Sequence, residues 1–320
     1  MQRPKIAILD DYQDLALKLA DWSGVQARAD LTVFAKPWRD EDEIADKLAS
    51  FDVIVLLRER TPLPAGLIAR LPRLRVVAMT GNRTSTLDLA ACKARGIVVT
   101  NTPDVLTNAC ADFAWGLIIA VTRRLGEAER QLRRGAWAGW ALDHMLGMEL
   151  RGKRLGLVGV GRIGRAVAEK APAFGMTVAY AEPMPLDLPG AQHLPLDHLL
   201  ATSDVISLHV PLMPETRHLI DQKALTKMKR TAYLINTSRG PVVDEAALAW
   251  ALKQRLIAGA ALDVYENEPQ VHPDLLGLEN VMLIPHIASA TTETRTAMAD
   301  LAASNVLAVL AGGTPLTQVA

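Results

Sequence analysis

Between residues 159 and 164 the chain reads Gly159-Val-Gly161-Arg162-Ile163-Gly164, and this short stretch limits the possible folds more than any other. The segment before it, Lys153-Arg-Leu-Gly-Leu-Val158, is apolar and strand-like; the segment after it, Arg165-Ala-Val-Ala-Glu-Lys-Ala, has the composition of a helix. A Gly-x-Gly-x-x-Gly at a strand-to-helix corner is a phosphate-binding turn. The first glycine permits the tight turn, the second lets backbone approach a pyrophosphate, and the third lets helix and strand pack closely. The helix N-terminus then offers N–H groups and the positive end of its dipole to the phosphates. A second strand-like run, Thr177-Val-Ala-Tyr-Ala, ends in Glu182, 18 residues past Gly164. An acid at about that distance takes the ribose hydroxyls of a dinucleotide. A carboxylate there also repels a 2′-phosphate, so the expected cofactor is NAD rather than NADP.

The chain's 320 residues suit two domains. Lys plus Arg and Asp plus Glu number 35 each, and this balance gives no electrostatic case for nucleic acid or an anionic membrane. Cys92 and Cys110 match no zinc spacing and cannot form a disulfide framework, so both are expected to act as small buried apolar groups. The longest apolar stretch, Phe113 to Thr122, is too short to span a bilayer, and the N-terminus enters a strand without a secretory h-region. A cytoplasmic setting is the default expectation, with neither membrane nor metal involved.

Residues 1–100 alternate strand-like segments (Lys5–Leu9, Thr32–Phe34, Val53–Leu57, Arg75–Met79, Gly96–Thr100) with helix-like ones (Tyr12–Ala20, Glu41–Ala49, Pro64–Leu71). A long helix is expected from Pro103 to about Arg124, apolar nearly all round, and residues 123–134 read as a solvated, mixed-charge helix face. Six further parallel strands are expected at Arg154–Val158, Thr177–Tyr180, Val205–His209, Ala232–Asn236, Gly259–Leu262 and Val281–Ile284, and a last helix at 291–311.

Three segments stand at or just past expected strand ends, where open α/β sheets bind ligands. They are Asn236-Thr-Ser-Arg239-Gly240, Asp263-Val-Tyr-Glu-Asn-Glu268-Pro269 and Pro285-His286-Ile-Ala-Ser. Hydride exchange between a nicotinamide and a 2-hydroxy or 2-oxo acid needs few protein groups. A cation holds the substrate carboxylate, and Arg does so bidentately. An imidazole moves the hydroxyl proton near neutral pH. A carboxylate beside it favours the protonated form and fixes the tautomer. Arg239, His286 and Glu268 supply that set.

With these motifs, and with His209-Val210-Pro-Leu and Thr102-Pro-Asp-Val-Leu-Thr107 beside them, the whole chain resembles the D-isomer-specific 2-hydroxyacid dehydrogenases, glyoxylate/hydroxypyruvate reductases and phosphoglycerate dehydrogenases included. The resemblance implies an α/β protein of two doubly wound parallel-sheet domains. A Rossmann-type NAD domain (102–290) is inserted in a flavodoxin-like substrate domain (1–101 and 291–320). It implies a cleft between them, hinge closure, and a homodimer built around the helix after Pro103. Arg239 would bind the substrate carboxylate, His286 would donate the proton to a 2-oxo acid, and Glu268 would favour protonated His286. Gly159, Gly161, Arg162, Ile163 and Gly164 would hold the pyrophosphate and Glu182 the adenine ribose. Val210, Thr237, Ser238 and Asp263 would line the adenine and nicotinamide ends. Thr80, Gly81 and Asn82 would meet the substrate through backbone N–H groups. The substrate loop departs from the Gly-x-Gly-x-Asp common among relatives, reading Gly81-Asn-Arg83-Thr-Ser85. The expected function is therefore an NAD-dependent 2-oxo acid reductase acting on a small acid. Two alternatives differ in substrate or class: a D-3-phosphoglycerate dehydrogenase using Arg58, Arg60 or Arg83 for the phosphate, and an NAD(H)-sensing corepressor-like binding protein.

Overall fold

The computed structural model describes residues 3–58, 60–81, 84 and 86–320. The chain divides into two compact units, one made of residues 1–106 and 290–320, the other of 107–289. Both are α/β, and every strand pairing inside their sheets is parallel.

The first unit holds β1 (Lys5–Leu9), β2 (Asp30–Val33), β3 (Val53–Leu56), β4 (Val76–Met79) and β5 (Val98–Thr100), in the sheet order β2-β1-β3-β4-β5. That is the flavodoxin-like doubly wound order. The strands are short apolar runs because both sheet faces are covered. Ala7 and Leu9, Ile54 and Leu56, and Val77 and Met79 face one core; Ile6 and Ile8, Val53 and Val55, and Val76 and Ala78 face the other. The second core is closed by Ala303 and Val306 of the terminal helix Thr292–Leu310, so the chain returns to this unit after leaving it.

The second unit holds β6 (Arg154–Val158), β7 (Thr177–Ala181), β8 (Ala191–His193), β9 (Val205–Leu208), β10 (Tyr233–Asn236), β11 (Gly259–Leu262) and β12 (Val281–Leu283). Their order is β12-β11-β10-β9-β6-β7-β8. The direction of winding reverses between β6 and β9, which are neighbours, and ligands bind in open α/β sheets at such a switch point. Again alternate residues feed two cores: Leu155, Leu157, Ile235 and Ala261 on one face, Val158, Leu234, Ala260 and Leu262 on the other.

Three sequence expectations are corrected. The sheet has seven strands, not six; the seventh, Ala-Gln-His at 191–193, is a short, half-exposed edge strand without an apolar pattern. The long helix starts at Thr107 rather than Pro103 and ends at Thr122, because Asp104 (φ +68°) and Arg124 (φ +54°) adopt left-handed backbone that no helix continues through. A separate helix, Leu125–Arg133, follows with no buried residue. Of the helix expected over Tyr12–Ala20, only Ala16–Leu19 is helical. There the Asp11 carboxylate accepts the Leu15 and Ala16 N–H groups, 2.9 Å each, and starts the helix late. Cys92 and Cys110 are both buried. Among the described residues no His, Cys, Asp and Glu group could hold a metal, and no helix is long and apolar enough to cross a membrane.

Candidate active site

The glycine turn follows β6, directly beside the start of the segment after β9. Its three glycines meet three different constraints. Gly159 has φ +91°, and a Cβ there would lie 2.7 Å from the Val210 N. A Cβ on Gly164 would come 2.4 Å from the Gly159 carbonyl oxygen. Gly161 is unlike both: a Cβ there meets nothing within 4 Å, and Gly161 and Arg162 are exposed. Gly161 is the N-cap of the helix Arg162–Lys170 and contributes no side-chain cap, so the first-turn N–H groups point past a bare glycine. Ile163 packs half-buried against the core and fixes the helix on the sheet. A pyrophosphate fits this arrangement because the one glycine with space around it is the one that caps the helix.

Glu182 follows β7, and its carboxylate accepts the Val160 N–H inside the glycine turn. The acid therefore stands beside the turn. The residues after it are fastened in place. The Tyr180 hydroxyl bonds both the N–H and the carbonyl of Leu186 at 2.9 and 2.8 Å, and Arg165 donates to the Asp187 carbonyl at 2.8 Å. On the other side of the turn, burial pushes the His209 imidazole down to about 4, so it is neutral, with Nε2 2.9 Å from the Ser207 hydroxyl.

Past β10, Asn236 folds the chain back on itself. Its amide donates to the Arg239 carbonyl at 2.9 Å, while its oxygen accepts the Ser238 N–H and hydroxyl at 3.0 and 2.8 Å. This local knot sets the direction in which Arg239 leaves the backbone. The Thr237 hydroxyl in the same loop is buried and has no partner among the described residues. A buried orphan hydroxyl costs roughly 1–3 kcal/mol, so its place in the loop beside the glycine turn's sheet edge suits a bound polar ligand. Gly240 is pressed against the next loop: a Cβ would fall 1.8 Å from the Tyr265 carbonyl carbon. No other residue fits there.

Past β11 and β12 come the acid and the imidazole. His286 Nδ1 lies 2.8 Å from Glu268 Oε2, and Glu268 Oε1 accepts the Tyr265 N–H at 3.1 Å. Burial pushes Glu268 upward, but the His286 hydrogen bond, the Tyr265 N–H and the charges of His286 and Arg239 outweigh it, so the carboxyl is held below its ordinary value. His286 adopts left-handed backbone, φ +53°, a conformation that a non-glycine residue holds only when its surroundings impose it. The constraint comes from Asp263, fully buried, whose two oxygens accept the Ile287 and Ala288 N–H groups at 2.8 Å each. Burial raises Asp263 despite those two donors.

Arg239, Glu268 and His286 thus stand on one edge of one sheet. Of the groups assigned to the substrate in the first unit, Thr80 N–H donates to the Leu56 carbonyl and Gly81 N–H to the Thr102 hydroxyl, at 2.9 and 2.7 Å. Both amides have hydrogen-bond partners within that unit. Asn82, Arg83 and Ser85 lie outside the described residues. Sequence reading missed what holds the site: Asn236, the grip of Asp263 on the His286 loop, and a pair of carboxylates, buried Glu245 and half-buried Glu266. Only Glu245 left a signal, as the acid after the N-cap Asp244.

The model of the D-isomer specific 2-hydroxyacid dehydrogenase NAD binding domain matches residues 115–288. The chain is 46% identical over 291 residues to a glyoxylate reductase of Korarchaeum cryptofilum, covering 87% of each protein. Among solved structures, a glyoxylate reductase from Paecilomyes thermophila superposes with a TM-score of 0.86 at 34% identity, over 100% of this chain and 99% of that one. An NADPH-dependent glyoxylate/hydroxypyruvate reductase from Sinorhizobium meliloti, in complex with NADP and malonate, gives 0.86 at 36%, over 100% and 97%.

Proposed function

The chain belongs to the D-isomer-specific 2-hydroxyacid dehydrogenase family and is an oxidoreductase acting on CH–OH donors; from that premise we propose that it reduces glyoxylate, or a 2-oxo acid of similar size, with NADH as reductant and His286 as proton donor. The observation that carries the reading is the Glu268–His286 pair at 2.8 Å with the Arg239 charge acting on the same carboxylate. Arg239 binds the substrate carboxylate, which fixes C2 and its oxygen relative to the imidazole. Glu268 holds Nδ1, so Nε2 is the atom that exchanges a proton with the C2 oxygen. The dinucleotide, when bound, supplies the hydride that reduces C2.

NAD is proposed over NADP on two grounds. Glu182 adjoins the glycine turn, and residues 183–190, Pro-Met-Pro-Leu-Asp-Leu-Pro-Gly, offer no cation to a 2′-phosphate. The Sinorhizobium meliloti relative is NADPH-dependent, so the choice of cofactor is a property of the individual chain. A homodimer is proposed from Trp137, Trp140, Leu142 and Leu146, which leave a cluster of large apolar side chains 59–83% exposed within ten residues. Sedimentation at micromolar concentration tests it. The phosphorylated-substrate alternative needs an additional cation. Arg60, one of its candidates, instead donates to the Asp10 carbonyl at 2.7 Å and lies over the Tyr12 ring.

NADH oxidation against glyoxylate, hydroxypyruvate, pyruvate, phenylpyruvate and 3-phosphohydroxypyruvate, with NADPH in parallel, tests the whole reading. Turnover of the two-carbon or three-carbon acids, abolished in Arg239→Ala, supports it. Preference for the phosphorylated acid, or NADH binding with no turnover of any acid, overturns it.

A further inference from the structure

The loop that carries Glu268 is fixed by side chains that touch neither substrate nor cofactor in the reading above, on which the inference rests. Glu245 opens the helix Glu245–Lys253 and is 5% exposed. Its Oε1 accepts the Glu266 N–H at 2.6 Å and its Oε2 accepts the His272 N–H at 3.2 Å. Glu266 returns the bond: its Oε1 accepts the Glu245 N–H at 2.9 Å. Its Oε2 lies 2.8 Å from His218 Nε2 and 3.9 Å from Arg217. Two carboxylates therefore cross-link a helix N-terminus to the segment two residues before Glu268, each through the other's backbone.

This is an expensive way to hold a loop. A buried carboxylate such as Glu245 is tolerated only when its charge is met by donors, and the half-buried Glu266 beside it repels it: the Glu266 charge, after burial itself, helps to push Glu245 above its ordinary value. An apolar contact would hold a loop at lower cost, but with less directional control. The same segment is also met by Gly240, the neighbour of Arg239, packed against the Tyr265 and Glu266 backbone. The segment is therefore tied to the helix by hydrogen bonds and packed tightly against the arginine loop.

We propose that Glu245 and Glu266, backed by His218, are positioning residues that set the Glu268 carboxylate against His286. The His286 charge acts on the carboxylates of Glu268 and Asp263, and of these two only Glu268 rides on the clamped segment. Loosening the clamp should therefore weaken the Glu268–His286 contact selectively and leave the glycine turn alone.

The test compares Glu266→Ala with Glu266→Gln, in which the amide oxygen can still accept the Glu245 N–H. In Glu266→Ala, kcat should fall about tenfold, the scale of a small misplacement of a reacting group. The alkaline limb of the pH–rate profile should move to lower pH, with NADH affinity unchanged. Glu266→Gln should restore both. A second readout needs no turnover: the downfield proton resonance of the His286–Glu268 hydrogen bond, assigned by its loss in His286→Gln, should disappear in Glu266→Ala and return in Glu266→Gln. A wild-type pH limb and resonance in Glu266→Ala overturn the proposal, whatever the variant's stability. If Glu266→Ala does not fold, His218→Gln carries the test: the limb should shift the same way by less, and an unmoved limb counts against the clamp. If the wild type reduces no 2-oxo acid, the functional reading falls while the resonance still decides the clamp.

Discussion

Both sheets end in a C-terminal edge lined with polar side chains, but the two edges are put together differently. In the first unit the edge centres on a cluster of side chains that bond one another, with further bonds to backbone around it. The Thr61 hydroxyl lies 2.8 and 2.9 Å from the Asp10 oxygens, the Tyr12 hydroxyl donates to the same carboxylate, and Trp38 Nε1 donates to Thr61. Thr80 Oγ1 joins the Arg58 N–H to the Leu56 carbonyl. In the second unit the supporting side chains bond backbone instead: Asn236 to the Arg239 loop, Asp263 to the His286 loop, Glu245 and Glu266 to the Glu268 loop. Support taken from backbone holds the loops while leaving Arg239, Glu268 and His286 to meet each other and a ligand. All 7 histidines also fall in the second unit, between residues 144 and 286. The two units share an architecture, and the difference in chemistry lies in what their strand ends carry.

The most severe test of this contrast is His286→Gln. Turnover should fall by at least about 10²-fold, the lower end for a lost general acid–base group, with NADH binding and the thermal midpoint kept. Near-wild-type turnover would remove His286 from the chemistry, and the second edge would lose its claim to be different.

Acid should separate the units next. His209 is pushed down to about 4 by burial, below the ordinary value of about 6.5. A group with a depressed folded value contributes stability above its unfolded value and loses it as pH falls toward the folded one. The second unit should therefore weaken progressively from about pH 6.5 down to about 4, while the first, without histidine, does not respond in that window. Glu268, also held low, adds to the loss further down, below the ordinary carboxylate range. Amide exchange at pH 7 and pH 5 measures this; equal change in both units would contradict it.

Much of the fold was legible because its strands are apolar runs punctuated by turns, and because each glycine of the 159–164 turn answers a different local demand. Arg239, Glu268 and His286 could be picked out because each lies in the segment that follows a strand. What stayed hidden has common physical causes. β8 is three polar or small residues on an edge, so no burial pattern marks it. The helix breaks at Asp104 and Arg124 are left-handed residues that no glycine announces. The carboxylate clamp joins Glu245 to Glu266 across 21 residues through backbone N–H groups, which every residue type except proline possesses.

The glycine turn offers an internal version of the comparison. Gly164→Ala places a Cβ 2.4 Å from a backbone oxygen and should destabilise the protein by ~1–3 kcal/mol, the usual range for overpacking. Gly161→Ala meets nothing, so the thermal midpoint should stay near wild type while NADH affinity falls because the methyl occupies the phosphate approach. Equal stability losses, or unchanged NADH affinity in Gly161→Ala, would mean that the turn is only a structural corner.

The smallest expected effect on turnover comes from the first edge and completes the contrast. Thr61→Val keeps the side chain's shape but leaves the buried Asp10 carboxylate and the Trp38 N–H short of a partner. Stability should drop by ~1–3 kcal/mol, the penalty for an unmade buried hydrogen bond, with kcat per folded molecule near wild type. Denaturant unfolding measures the first quantity and active-site-normalised turnover the second. If turnover collapsed while stability held, the Asp10–Thr61 cluster would belong to the reacting centre, and the two edges would have to be read as halves of one chemistry.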